Sequence, residues 1–458
     1  MNLKSLGQAG RTPELPATLE LSQGPLQLHQ WLRTLPGKRY VAKGTFNGNT
    51  VLAKLWIGPR GATKLKEEQR GTALLQNKEL ATPSIIASGI ESDGAWQLNQ
   101  WLDQAQTLQQ VLGLETGDIE LDSPPPLEPL SAVAKLLSSM HSCGAVQDDI
   151  HPGNFLWAEQ QWWIVDAADV RPINTERDAF ENLGTFLAQL PENWQDSVLS
   201  SYGLKPHTEQ ANTALVQSQQ WRSHRAQDLA NKSLRDCTLF QVNQDFRSFE
   251  SQWRENPLDL SQLDEKLNTG KMLKDGGSAT VGLIEYAGRK LVLKRYNLKN
   301  WRHWLKRFWR PTRAWHSWWA GHRLRVLGIS TPKPVALREE RWGYCRGRGY
   351  LLTEVAPGQD ILATCQDEAS TRKVALQIRR ILEIFVRDKI SHGDFKGTNL
   401  MWDGHLHLID LDAVQWHKDH DSWQRAFNKD IERLLRNWPQ GSMQHRLMSE
   451  LVKDSIKY

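Results

Sequence analysis

Long apolar runs are missing from this chain. No stretch approaches the roughly 18 uninterrupted apolar residues of a membrane span, and Met1 to Gln30 contains no apolar core of a secretory leader. A cytoplasmic protein is expected. Cysteine is scarce as well: Cys143, Cys237, Cys345 and Cys365 lie far apart and without metal-ligand spacing, which points to reduced, structural thiols. Acidic residues are absent from Tyr286 through Arg338, so the basic charge of that window has no local counterweight.

Charge is distributed unevenly over the rest of the chain. Residues 1–250 carry 21 Lys+Arg against 28 Asp+Glu, whereas residues 251–458 carry 36 against 24. A basic half joined to an acidic one predicts that the C-terminal half meets a polyanion. The 458 residues leave room for two domains of roughly 200 residues each.

What is present is a pair of similar loops. One reads Gln147-Asp148-Asp149-Ile150-His151-Pro152-Gly153-Asn154 and is followed by Trp163-Ile164-Val165-Asp166. The other reads His392-Gly393-Asp394-Phe395-Lys396-Gly397-Thr398-Asn399 and is followed by Leu408-Ile409-Asp410. In both, an Asp precedes an Asn by five residues and a second Asp closes the next strand. This spacing suits phosphoryl transfer from ATP: the loop Asp (Asp149, Asp394) takes or orients the proton of an attacking hydroxyl. The Asn (Asn154, Asn399) and the strand-end Asp (Asp166, Asp410) offer oxygen ligands to Mg2+.

Upstream of each loop the chain repeats a second pattern. Arg39–Trp56 reads as two strands around an Asn47-Gly48 turn, and Thr280–Tyr296 as two strands around Gly288. Six residues beyond each turn glycine stands a lysine, Lys54 or Lys294, in the place where kinases grip nucleotide phosphates. Amphipathic helices then lead into the loops, with Leu130, Val133, Leu136, Leu137 and Met140 on one face of the first helix and Val374, Ile378, Ile381, Leu382 and Phe385 on one face of the second. Glu354 closes the strand expected to lead to the adenine-contacting hinge. The fold expected is α+β: two tandem protein-kinase-like domains, residues 1–255 and 256–458, each with a small β-rich lobe and a mainly helical one. The stretch from Asp178 to Glu255 is expected to be mainly helical and to complete the first.

The two copies are unequal. A degenerate glycine loop, Gly276-Gly277-Ser278, precedes the second hairpin, and Leu35-Pro36-Gly37-Lys38 is poorer still. The first copy supplies Glu68 as a helix partner for Lys54, while the second has Ser317 at the equivalent place, so Lys294 is expected to work without a helix carboxylate. Asp148 beside Asp149 is expected to raise the pKa of Asp149 by like-charge repulsion. Lys396 is suited to the charge on a transferring phosphoryl group.

Residues 299–319 hold Trp301, Trp304, Leu305, Phe308 and Trp309 at helical spacing among arginines and lysines, and Trp315, Trp318 and Trp319 after Pro311. This is the pattern of a basic helix lying on an anionic membrane surface, with internal packing as its alternative. No nucleic-acid reading module is recognisable, so no nucleic-acid partner is expected.

The run Leu291-Val292-Leu293-Lys294-Arg295-Tyr296-Asn297, the tryptophan- and arginine-rich segment before Leu327-Gly328-Ile329-Ser330-Thr331-Pro332, and His392–Asn399 resemble the lipopolysaccharide core heptose kinases. That resemblance implies transfer of the ATP γ-phosphate, with Mg2+, to a heptose hydroxyl of the lipid A-core oligosaccharide, by an enzyme peripheral to the cytoplasmic membrane face. It makes Asp394 the base, Lys294 the phosphate-binding residue, and Asn399 and Asp410 the metal ligands. The first loop is nearer to the D-x-H-P-x-N loop of small-molecule kinases. The rival expectations are a protein or small-molecule kinase and a non-catalytic scaffold.

Overall fold

Asn47 and Gly48 take φ of 50° and 79°, and Ala287 and Gly288 take 50° and 71°. Two consecutive left-handed residues make the tight turn that matches strand twist, so each pair closes a hairpin in register: Phe46 faces Asn49, and Tyr286 faces Arg289. The structure, a computed structural model, describes residues 1–114, 125–298 and 308–455. It is of mixed α+β type and divides into two units, Met1–Trp221 and Arg222–Tyr458.

The first unit has a six-stranded antiparallel sheet in the order Ala17–Leu21, Gly24–Leu35, Arg39–Phe46, Asn49–Ile57, Gly94–Gln100, Ile85–Glu91. The helix Gly61–Asn77 packs beside it and also meets the turn Ala167–Asp169, closely enough at Gly71 that an added Cβ would lie 1.7 Å from the Ala167 carbonyl oxygen. The helical part centres on Leu127–Ser142, whose Leu130, Val133, Leu137 and Met140 are buried in a cluster that includes Phe155 and Phe186.

The second unit has a seven-stranded sheet, ordered Phe240–Gln244, Ser248–Trp253, Pro334–Trp342, Cys345–Glu354, Arg289–Tyr296, Ala279–Tyr286, Lys271–Gly276. Its first two strands lie within the stretch expected to be helical. That stretch is helical as far as Lys232 and then turns to strand, because Phe240 finds cover against Trp253 and Trp318, with ring centroids 4.5 and 6.1 Å away. The helix Glu368–Arg387 buries Val374, Ile378, Ile381, Leu382 and Phe385, the face expected.

The aromatic segment is internal along its helix, Arg313–Val326. In the helix Arg313–Val326, Trp318 is fully buried and its indole N–H donates to the Ser233 carbonyl, while Trp319 stacks edge-on against Trp416. Trp315 lies against Phe249. For these three tryptophans the membrane reading gives way to internal packing: strands 240–253 supply an apolar floor beneath Trp315 and Trp318 that the sequence reading had not placed there, and Trp319 packs on the helical core. Trp309 is exposed. Trp301, Trp304 and Leu305 lie outside the described residues.

Candidate active site

In the first unit the sheet and helices bring Lys54, Glu68 and Asp166 together. Lys54 Nζ lies 2.5 Å from Glu68 Oε1 and 3.1 Å from Asp166 Oδ1, and Lys54 and Glu68 are both buried. Arg39, on the strand after the Pro36-Gly37 turn, adds a contact of 3.3 Å to Asp166 Oδ1. Burial pushes the Asp166 carboxyl up, but Lys54 and Arg39 outweigh it and bring its pKa down to about 2. A cavity of about 560 Å³ opens here, walled by Val41, Leu52, Leu102 and Leu156 and floored by Lys54 and Asn154.

The second unit assembles the same elements with a different carboxylate. Lys294 Nζ lies 2.5 Å from Asp410 Oδ1 and 2.9 Å from Asp412 Oδ1. Ser317 stands on the helix, and its hydroxyl donates to Asp412 at 3.0 Å. Lys294 therefore does have a second acid, from the turn rather than the helix. Sequence reasoning missed Asp412, although an acid two residues after Asp410, where the first unit has Ala168, was a visible signal. Burial tends to raise the Asp410 pKa, and Lys294 overcomes this and holds it below the usual carboxylate range.

Each strand-end Asp sits in the left-handed region, Asp166 at φ 59° and Asp410 at φ 61°, a conformation that surrounding structure must enforce. The residue that opens each loop does the enforcing. His392 Nε2 donates to the Ile409 carbonyl at 3.1 Å, leaving Nδ1 to accept from the Asp394 N–H; Gln147 Nε2 donates to the Val165 and Asp166 carbonyls, both at 2.9 Å. The glutamine replacement thus keeps the contact. Beneath the second loop, the buried Asp430 accepts from the backbone N–H of His392 and Gly393; beneath the first, Asn182 donates to the Gln147 carbonyl.

The loop side chains follow the same plan. Asn399 Nδ2 donates to the Asp394 carbonyl and to Asp394 Oδ2, at 2.9 and 3.1 Å, and Asn154 Nδ2 donates to the Asp149 carbonyl at 2.9 Å. An amide oxygen together with a carboxylate such as Asp410 or Asp166 is of the hard-oxygen kind that can hold Mg2+ beside substrate phosphates. Among the described residues no group of three or more His, Cys, Asp or Glu could hold a metal. Lys396 Nζ lies 2.8 Å from Asp394 Oδ2; burial raises the Asp394 pKa, and bonds from Lys396 and Asn399 bring it below the ordinary value. Asp149 is exposed, and the Asp148 carboxylate beside it is turned onto the Arg171 guanidinium at 2.9 Å.

The remaining candidate residues of the second unit are Gly276, Gly277, Ser278 and Glu354. Gly277 and Ser278 form the tight turn between strands Lys271–Gly276 and Ala279–Tyr286; the Gly276 carbonyl accepts from Asn297, and that of Ser278 from Arg313. Glu354, at the end of its strand, pairs with Arg289 at 3.0 Å.

Residues 267–453 match the model of the lipopolysaccharide kinase (Kdo/WaaP) family. A 3-deoxy-D-manno-octulosonic acid kinase of Vibrio cholerae serotype O1 is 24% identical over 144 residues, covering 28% of this chain and 59% of the relative's own length. The kinase of the same name from Xylella fastidiosa strain 9a5c is 26% identical over 179 residues, covering 36% and 68%. Among solved structures, WaaP in complex with acyl carrier protein aligns with a TM-score of 0.34 at 16% identity, over 42% of this chain and 88% of that one. The BubR1 kinase domain aligns at 0.29 and 15%, over 35% and 51%. The stretch that matches the lipopolysaccharide kinase (Kdo/WaaP) family model lies within the second unit and carries Lys294, Asp394, Asn399 and Asp410.

Proposed function

We propose that the second unit transfers the γ-phosphate of ATP to a sugar hydroxyl of the lipopolysaccharide inner core, on a lipid A-borne acceptor at the cytoplasmic membrane face. The observation that carries this is the convergence of Lys294, Asp394, Asn399 and Asp410 in one cleft, within the segment that matches the family. Asp394, held ionised by Lys396 and Asn399, orients the acceptor hydroxyl and takes its proton as the new O–P bond forms and the bond to the leaving ADP breaks. Lys294 binds the nucleotide phosphates beneath the Gly276-Gly277-Ser278 turn, with Glu354 at the hinge end. Asn399 and Asp410 hold Mg2+, which would supply positive charge to the phosphates. Lys396 meets the phosphoryl group in transit.

The acceptor sugar is a heptose in this reading. A Kdo hydroxyl is the second reading, favoured by the names of the Vibrio and Xylella relatives. The first unit is a second kinase-like module in tandem, with functional limits at residues 1–255 and 256–458; Lys54 and Glu68 bind nucleotide there, Asn154 and Asp166 the metal, and Asp149 faces the acceptor. Peripheral membrane contact falls to the basic segment beginning at Lys299 and to the exposed Trp309.

Purified protein is given labelled ATP with core lipopolysaccharide, free sugars or protein as acceptors. Label should enter the lipopolysaccharide and be lost in Asp394→Asn, and mass spectrometry of the product should place the phosphate on heptose or Kdo. Transfer to protein alone would reject the reading.

A further inference from the structure

The window from Tyr286 to Arg338 holds no acidic residue, yet Lys294 lies within it and carries its charge with the side chain mostly buried. In the first unit the matching lysine has two carboxylates on two elements: Glu68 on the helix and Asp166 on the strand-end turn. The division matters physically. Asp166 or Asp410 must offer oxygens to the metal, so the lysine needs another acid to hold it once that carboxylate is committed. Without one, lysine and metal compete for the same oxygens.

We infer that Asp412 is the positioning carboxylate of Lys294, supplying from the turn at Leu411–Ala413 what Glu68 supplies from the helix in the first unit. The inference rests on the kinase reading above. Four groups from two elements converge on this side chain. Lys294 and Tyr296 reach it from the strand Arg289–Tyr296, at 2.9 Å to Nζ and 2.5 Å to the phenol oxygen; Ser317 and Arg313 reach it from the helix Arg313–Val326, at 3.0 and 3.7 Å. With its side chain 17% exposed, Asp412 is a costly place for an unpaired charge and a good place for a paired one. Lys294 and Arg313 also lie over the Tyr296 ring, at 5.0 and 4.9 Å from its centroid, so the phenol fixes both cations while donating to the carboxylate.

The helix position explains why the acid moved. Ser317 is 3% exposed and its hydroxyl already reaches Asp412, so the space that a helix glutamate would fill is taken by a short side chain plus an aspartate from the opposite side. A serine there is what an acid on the turn requires.

The test uses the full chain and measures ATP affinity by calorimetry with Mg2+ present, in an Asp149→Asn, Lys54→Met background that isolates the second cleft. Asp412→Asn, which keeps shape and an acceptor for Ser317 and Tyr296, should weaken ATP binding at least tenfold. Lys294→Met combined with Asp412→Asn should bind within twofold of Lys294→Met alone, because Asp412 acts through the lysine. Asp412→Ala with Ser317→Glu, which returns a carboxylate to the helix, should recover at least fivefold over Asp412→Ala. Binding by Asp412→Asn within twofold of the background, or additive losses in the double variant, would overturn the inference. Intact ATP binding with these effects but no phosphate on lipopolysaccharide would instead reject the acceptor reading and leave Asp412 in place.

Discussion

Glu68 and Lys54 are buried against each other at 2.5 Å, so removing either leaves a charge with nowhere to be solvated. Glu68→Ala should cost about 3 kcal/mol, the lower end for a broken buried pair because Asp166 still faces the lysine. Urea unfolding followed by tryptophan fluorescence reads this, and a loss under about 1 kcal/mol would mean that the pair is dispensable. This pair was legible in the sequence, since a lysine six residues past a turn glycine and a glutamate on the next helix are both local signals. Asp412 was not, because its meeting with Lys294 spans 118 residues and depends on the fold to bring turn and strand together. The exchange of His392 for Gln147 was visible, but its meaning was hidden: both side chains reach the backbone at the strand end, and that is a fact of geometry rather than of residue type.

At the scale of elements, the helix Gly61–Asn77 lies directly on the turn that carries Asp166, and Gly71 is what permits it. Gly71→Ala places a methyl 1.7 Å from the Ala167 carbonyl, against backbone that cannot rotate away. The helix or the turn must shift, at a cost of about 1–3 kcal/mol. A lowered melting temperature together with weaker nucleotide binding at the first cleft is expected; an unchanged melting temperature would show that the two elements have slack. Amphipathic helices and turn-closed hairpins were readable from period and glycine placement. Strands Phe240–Gln244 and Ser248–Trp253 were not, since five- and six-residue strands after a 24-residue helix carry little periodicity of their own and owe their form to the partner strand Pro334–Trp342.

For the molecule as a whole, acid is the expected weakness. Burial lowers the pKa of His141 in the first unit from 6.5 to about 4, and that of His322 in the second from 6.5 to about 3. Both are neutral in the folded chain but protonate near 6.5 when it unfolds, so the stability held above pH 6.5 is lost as pH falls toward the folded values. For His141 the loss amounts to about 2 kcal/mol by pH 5. Unfolding midpoints in urea should drop between pH 7 and pH 5, and His141→Gln should blunt the drop; equal midpoints would contradict the burial argument.

The carboxylate that serves Lys294 shares a turn with Asp410 and is two residues from it. In the first unit, by contrast, the lysine's acid rides on a helix, and any sliding of that helix would separate the pair. Lys294 is relieved of that dependence: lysine, Asp410 and Asp412 travel on strand and turn alone, and the helix contributes the Ser317 hydroxyl and the Arg313 guanidinium rather than the lysine's acid. Sliding of the helix would therefore part lysine and acid in the first unit and leave the two side by side in the second.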